Sequence, residues 1–124
     1  ILPRFKPDLL ECMLLACRKD LSKIKAGFDK RVATTVMLVS GGYPGDYEKG
    51  KTVTGLADLP KNVLPFHAGT QLAENGSVKT SGGRVIALTA LGNTMQQALA
   101  ASYKAAEKVK FPGKYFRKDI GFDL

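Results

Sequence analysis

Lys79-Thr80-Ser81-Gly82-Gly83-Arg84 is the stretch around which the rest of the chain can be arranged. It joins a hairpin, signalled by Asn75-Gly76, to a strand running from about Val85 to Leu91. The paired glycines read as a backbone bend with positive φ that can approach a ligand closely. Lys79 and Arg84 set a cation on either side, and Thr80 and Ser81 add hydroxyls. Such a set of groups suits a phosphate ester. It also suits a plain glycine turn between two solvated cations. A Walker A loop is excluded, because Val78 stands where that motif has glycine before its lysine.

Downstream, the strand closes at Gly92, and Asn93 or Thr94 caps a helix, with Thr94 and Gln97 at capping-box spacing. Met95, Leu99, Ser102, Ala106 and Val109 fall near one helical face, with Ala98 and Tyr103 beside them. This helix is expected to cover one face of a sheet. Pro112-Gly113 ends it, and Tyr115 to Gly121 forms a short extended tail in which Arg117 and Asp119 share a side and read as a structural ion pair.

Upstream, Val63 to Gln71 reads as one strand, placed at an edge by Pro65. Its His67 has no identifiable orienting partner and reads as a hydrogen-bonded structural residue. Lys51 to Thr54 is a short strand after a turn at Lys49-Gly50. Arg31 to Ser40 is the best strand in the chain, rich in β-branched residues. It stops at Gly41-Gly42-Tyr43-Pro44-Gly45-Asp46-Tyr47, where Pro44-Gly45 suits a type II turn. A glycine-rich loop with two tyrosines and an aspartate at the end of a buried strand is a candidate site loop (Tyr43, Pro44, Gly45, Asp46, Tyr47), or else a bare structural turn. Before it lies a helix opened by Pro7, Asp8 and Glu11, whose Leu9, Leu10, Met13, Leu14 and Cys17 read as core-facing. Asp20 to Lys30 is a basic connector without pattern.

Composition sets the outer limits. A chain of 124 residues, 44% apolar and 24% charged, has the size and make-up of one globular domain, 1–124. No apolar run is long enough to span a membrane and no signal peptide is visible. The net charge of +8 favours anionic partners, although the cations are spread along the chain. Cys12 and Cys17 sit about 140° apart around a helix axis, and there is a single histidine, so no closed metal site is expected. Free cysteines suit a reducing compartment, and a cytoplasmic location is expected. The architecture implied is α+β: a small curved antiparallel sheet of four to six strands with a helix near each end.

Four ordered motifs carry a resemblance: Gly42-Tyr43-Pro44-Gly45-Asp46-Tyr47, Phe66-His67-Ala68-Gly69-Thr70, Thr80-Ser81-Gly82-Gly83-Arg84-Val85 and Arg117-Lys118-Asp119-Ile120-Gly121. Together they resemble the C-terminal domain of the glycinamide ribonucleotide synthetases, ATP-grasp ligases of purine biosynthesis, over nearly the whole chain. The resemblance implies a rudimentary hybrid-motif sheet packed against the N-terminal and ATP-grasp domains of one polypeptide. It implies that Arg84, with Lys79, Ser81, Gly82 and Gly83, helps hold the phosphate of a small phosphorylated metabolite, and that Tyr43 to Tyr47 shape the site. ATP and Mg²⁺ (or Mn²⁺) are expected in the whole enzyme. The metal-binding and nucleotide-binding segments of the family match nothing here, so a C-terminal piece without catalytic or metal residues, inactive alone, is expected. Partners of a nucleic-acid or membrane kind are not expected from the resemblance. The alternative from charge alone is a free-standing basic nucleic-acid-binding module, against which stand the missing RNP-like aromatic stripe, helix-turn-helix and zinc knuckle.

Overall fold

A computed structural model describes residues 1–122. Two three-stranded antiparallel sheets form the body, confirming the α+β class but dividing the single expected sheet in two. In the larger, β6 (Arg84–Gly92) lies between β1 (Val32–Val39) and β3 (Val63–His67). In the smaller, β5 (Val78–Thr80) lies between β2 (Thr52–Val53) and β4 (Thr70–Leu72). The hairpin at Asn75-Gly76 is formed by β4 and β5, with Gly76 at φ +77° and the Asn75 Oδ1 accepting from the Ser77 N–H at 3.1 Å.

The run from Val63 to Gln71 is therefore not one strand. It breaks at Ala68-Gly69, and its halves enter different sheets. The cause is a close backbone crossing: a Cβ on Gly69 would lie 2.6 Å from both the Arg84 carbonyl oxygen and the Gly82 Cα. Pro65 does occupy an edge strand, because among the described residues β3 pairs only with β6.

One face of the larger sheet is closed by α2 (Met95–Lys108). The Thr94 hydroxyl accepts from the Gln97 N–H at 3.2 Å, and the Gln97 side chain accepts from the Asn93 N–H at 3.2 Å, completing a near capping box. Ala98, Ser102, Ala105, Ala106 and Val109 are fully buried, and Met95 and Leu99 only half-buried. The buried stripe is thus centred on small residues that let the helix approach β1 and β6 closely. Val36, Leu38, Ile86 and Leu88 complete that core from the sheet. One polar pair is buried with them: the Ser102 and Thr34 hydroxyls lie 2.7 Å apart, and Ser102 Oγ donates to the Thr34 carbonyl at 3.1 Å.

The other face of the larger sheet carries Thr35, Met37, Leu64, Phe66 and Ala87 and is left open, with Leu64 and Phe66 exposed. Among the described residues nothing packs over Leu64 and Phe66, whereas a sheet ordinarily buries its apolar face against another layer.

The N-terminal helix α1 (Leu9–Cys17) corrects the sequence reading. Asp8 caps it, accepting from the Glu11 N–H at 2.9 Å, yet it buries no residue; Leu10 is 66% exposed and Met13 55%. The segment closes on itself instead, through the Phe5 and Phe28 rings at 5.6 Å and backbone bonds from Lys6 to Gly27 and Asp29 to Arg4. Periodicity correctly gave the helix, but its apolar stripe is not part of this core. Among the described residues, no helix is long and apolar enough to cross a membrane.

Removing the buried Ser102 hydroxyl leaves Thr34 short of a partner, so Ser102→Ala is expected to lower stability by about 1–3 kcal/mol in thermal or urea unfolding. Adding Thr34→Val should recover part of that loss, since both polar groups then go together; a double variant less stable than the sum would contradict this.

Candidate functional site

The site grows from the crossing at Gly69. Its carbonyl accepts from the N–H groups of both Ser81 (2.8 Å) and Gly82 (3.2 Å), and its N–H donates to the Arg84 carbonyl at 2.7 Å. Ser40 ties down the same turn from β1: its N–H donates to the Gly83 carbonyl at 2.8 Å and its hydroxyl to that of Gly82 at 3.0 Å. Neither Gly82 nor Gly83 adopts positive φ. Their lack of side chains serves close packing, which corrects the expected left-handed bend. Thr80 is fully buried, its Oγ accepting from the Lys51 N–H at 3.1 Å. The amides of Ser81 and Gly82 and the Thr80 hydroxyl are thereby committed to the fold.

Gly83 sets the position of the tyrosine loop. A Cβ there would run into Cδ2 of Tyr43, so the ring rests directly on the glycine backbone. In the loop itself the left-handed residue is Gly42 (φ +96°), where a Cβ would meet the Asp46 carbonyl oxygen. Gly45 is not left-handed, so the expected type II turn does not form. Tyr43 and Tyr47 meet edge to face at 6.0 Å between ring centres.

This loop separates two clefts. The first, about 490 Å³, is lined by Ser40, Asp46, Tyr47, Glu48 and Lys51 with the Pro112-Gly113 turn. Lys51 pairs there with Glu48, whose carboxyl is held below its usual range chiefly by the hydrogen bond from Lys51. The second, about 240 Å³, has an apolar floor of Val36, Met37, Val39, Phe116 and Ile120, with Tyr43, Arg84, Tyr115 and Arg117 around it. Arg84 is exposed, and among the described residues it has no ion-pair partner. Lys79 stands elsewhere, in a third cleft with Gln71, Leu72, Glu74 and Asn75. The residues expected to act together are thus divided: Arg84 and Tyr43 share one cleft, Asp46 and Tyr47 line another, and Lys79 joins neither.

Sequence reasoning left the C-terminal tail outside the site. Tyr115 continues the edge of β1, exchanging backbone bonds with Val39 at 2.9 and 3.0 Å. Lys114 donates to the Ala106 and Val109 carbonyls at 2.6 and 2.7 Å, capping α2, and burial pushes its ammonium pKa down. Arg117 and Asp119 form the expected pair in bidentate geometry, Nε to Oδ1 at 2.9 Å and Nη2 to Oδ2 at 2.7 Å. The alternation of Tyr115, Arg117 and Asp119 along an extended segment was the available signal. His67 Nδ1 lies 2.8 Å from the Thr70 hydroxyl, across the Ala68-Gly69 break, in keeping with a structural histidine. Among the described residues, no three metal-ligating side chains converge. With the Ser81 and Gly82 amides also committed, the residues here do not fit a nucleotide–magnesium site.

The comparisons agree with one another. Residues 33–123 match the family model described as phosphoribosylglycinamide synthetase, C domain. A phosphoribosylamine–glycine ligase of Pseudomonas aeruginosa is 42% identical over 98% of this chain and 28% of its own length. The chloroplastic ligase of Arabidopsis thaliana is 38% identical over 98% of the chain and 24% of its length. A bifunctional purine biosynthetic protein of Pichia angusta is 43% identical over 97% and 15%. The crystal structure of the Thermotoga maritima phosphoribosylamine–glycine ligase aligns at a TM-score of 0.61 and 41% identity, covering 70% of this chain and 21% of that one. The chain therefore spans between about a seventh and about a quarter of the length of these curated relatives.

Two outcomes test this geometry. Gly83→Ala should cost about 1–3 kcal/mol in unfolding experiments through the clash with Tyr43, and Tyr43→Ala should relieve most of it; an unchanged melting temperature would dissociate the ring from the turn. The Asp119 carboxyl is held below its usual range, first by the Arg117 hydrogen bond and against a smaller desolvation effect. A depressed folded pKa makes the pair's contribution fully present above the ordinary aspartate range and lost as pH falls through the folded value. A carboxyl titration by NMR should place the Asp119 midpoint below that of an unstructured aspartate, and Arg117→Met should raise it.

Proposed function

The chain belongs to the C-domain family of the phosphoribosylglycinamide synthetases, and from that premise we propose that it works as the C-terminal domain of an ATP-dependent ligase. The whole enzyme would join glycine to the amine of 5-phosphoribosylamine, with ATP converted to ADP and phosphate and with Mg²⁺ or Mn²⁺ supplied outside this chain. The contribution of this chain is to hold the ribose phosphate and to pack against the rest of the polypeptide. A cytosolic setting fits the free cysteines, while the Arabidopsis thaliana relative carries a chloroplastic name.

Arg84 carries the phosphate role. It is an exposed guanidinium at the start of β6, beside an apolar cleft and the Tyr43 ring, and no acidic side chain neutralises it among the described residues. A planar fork of donors beside a low-dielectric wall favours a phosphate over water. The committed amides of Ser81 and Gly82 leave the guanidinium, rather than a nest of N–H groups, as the anion-binding element. Gly82 and Gly83 act by positioning Arg84 and Tyr43, and Lys79, in a separate cleft, is at most a distant contributor to the field.

The partner face is read from what is left uncovered. The open side of the larger sheet and the apolar stripe of α1 suit the N-terminal and ATP-grasp portions of a polypeptide several times longer than this chain. Burying a leucine or methionine is worth about 1.5–3 kcal/mol, so such a stripe has a strong tendency to be covered.

Glycine-dependent ADP release by the full-length polypeptide, in the presence of phosphoribosylamine, tests the reading directly. A guanidinium–phosphate contact worth about 1.5–3 kcal/mol predicts that Arg84→Ala raises the KM for phosphoribosylamine about tenfold or more, leaving that for ATP little changed. An equal loss toward all three substrates would reduce Arg84 to a packing residue. For the docking face, Leu10→Lys with Met13→Lys should destabilise the full-length protein by about 3 kcal/mol or more while leaving the unfolding of the 124-residue chain unchanged. The same loss in both would mean that the stripe packs within this chain.

A further inference from the structure

The cleft beside Arg84 holds a second guanidinium, that of Arg117, brought there by the C-terminal tail. Resting on the phosphate reading of Arg84, we propose that Arg117 is a further substrate-binding residue for the ribose phosphate, with Asp119 as its positioning residue.

Three observations carry this. First, Arg84 and Arg117 come from distant parts of the sequence, yet line one cleft of about 240 Å³, between the tyrosine loop and the tail. A phosphate group with several acceptor oxygens is matched better by two guanidinium forks than by one, and the apolar floor of Met37, Val39, Phe116 and Ile120 offers it no competing acceptor. Second, Asp119 engages only Nε–H and one Nη2–H of the guanidinium, at 2.9 and 2.7 Å. Of the five donors on an arginine fork, three have no partner among the described residues. Third, the pair is not needed to hold the tail. Backbone bonds between Tyr115 and Val39, the Ile120 N–H donating to the Tyr103 hydroxyl at 2.8 Å, and Lys114 capping α2 already do so. The Arg117 and Asp119 side chains are 62% and 54% exposed, and exposed pairs contribute little to stability. The main consequence of this pair is geometric: it fixes a flexible side chain in one orientation before a ligand arrives, which lowers the ordering cost of binding.

The other cations near the tail differ. Lys114 is occupied by carbonyls and sits 5.3 Å from the Phe116 ring centre, and Lys118 lies outside this cleft. Asp119, the acid paired to Arg117, would then serve to aim the guanidinium rather than to silence it.

The experiment uses the full-length ligase with Arg117→Met, Arg117→Lys and Asp119→Asn, set beside Arg84→Ala. Steady-state kinetics for each substrate are combined with inhibition by ribose 5-phosphate. Arg117→Met is expected to raise the KM for phosphoribosylamine and the Ki of ribose 5-phosphate about tenfold, equivalent to about 1.4 kcal/mol, with kcat and the KM values for ATP and glycine unchanged. Arg117→Lys should recover part of the loss, and Asp119→Asn should shift the same two constants by a smaller factor. If Arg84→Ala weakens ribose 5-phosphate and Arg117→Met does not, Arg117 lies outside the site and only this inference falls. If neither variant weakens it, the phosphate reading falls and takes the inference with it. A uniform loss toward all substrates together with a lower melting temperature would make Arg117 structural, and also overturns the inference.

Discussion

Everything around the candidate site depends on one backbone contact, the crossing of Gly69 and Gly82. A Cβ on Gly82 would lie 3.1 Å from the Gly69 Cα, and the Gly69 carbonyl takes up two amides of the facing turn. Two chain passages, β3 to β4 and β5 to β6, are fastened together there, each leaving one sheet for the other. Because both pass through a single crossing, the start of β6 has little freedom. Arg84 emerges from it at a fixed place, and Gly83 presents the bare backbone on which Tyr43 rests. The glycines are thus required by packing, and a ligand would meet the side chains they position.

The distribution of cover follows layer logic. Sheet and helix satisfy each other on the α2 side, where small residues and the Ser102–Thr34 hydroxyls allow close approach. The opposite face, and α1, end in apolar side chains with nothing over them among the described residues. The family match begins at residue 33, so the segment carrying α1 lies outside the part that the C-domain model describes. Its closure on itself through Phe5 and Phe28 fits a unit whose packing partner is not this core.

The legible parts of the sequence were those governed by local chemistry. β-Branched density marked β1, Asn75-Gly76 marked the β4–β5 hairpin, and Thr94 with Gln97 marked the start of α2. The Arg117–Asp119 pair followed from alternation alone. What was not legible depended on distant partners. Nothing local tells a glycine needed for φ from one needed because another group packs against its backbone, so Gly82 and Gly83 read as a left-handed bend, and the strand from Val63 reads straight through its break at Ala68-Gly69. Helical periodicity reports that a face is apolar without saying what covers it, and α1 was accordingly assigned to the wrong core. Lys79 and Arg84, five residues apart, looked like one site, but β5 and β6 belong to different sheets and carry them to separate clefts.

Charge shows the same limit from another side. A net charge of +8 invites a nucleic-acid reading, which needs cations assembled on one surface. Here many are committed singly: Lys23, Arg31, Lys51 and Arg117 to carboxylates, and Arg4, Lys108 and Lys114 to backbone carbonyls. A cation paired with a carboxylate adds little to a long-range field, and one spent on a carbonyl keeps its charge but has fewer donors left for a ligand. Geometry can still make such a residue useful, provided the acceptor leaves donors free, as Asp119 does for Arg117. The informative quantity is therefore not the charge total but the number of unengaged donors that share a cleft, and the cleft beside Tyr43 is where Arg84 and Arg117 supply them together.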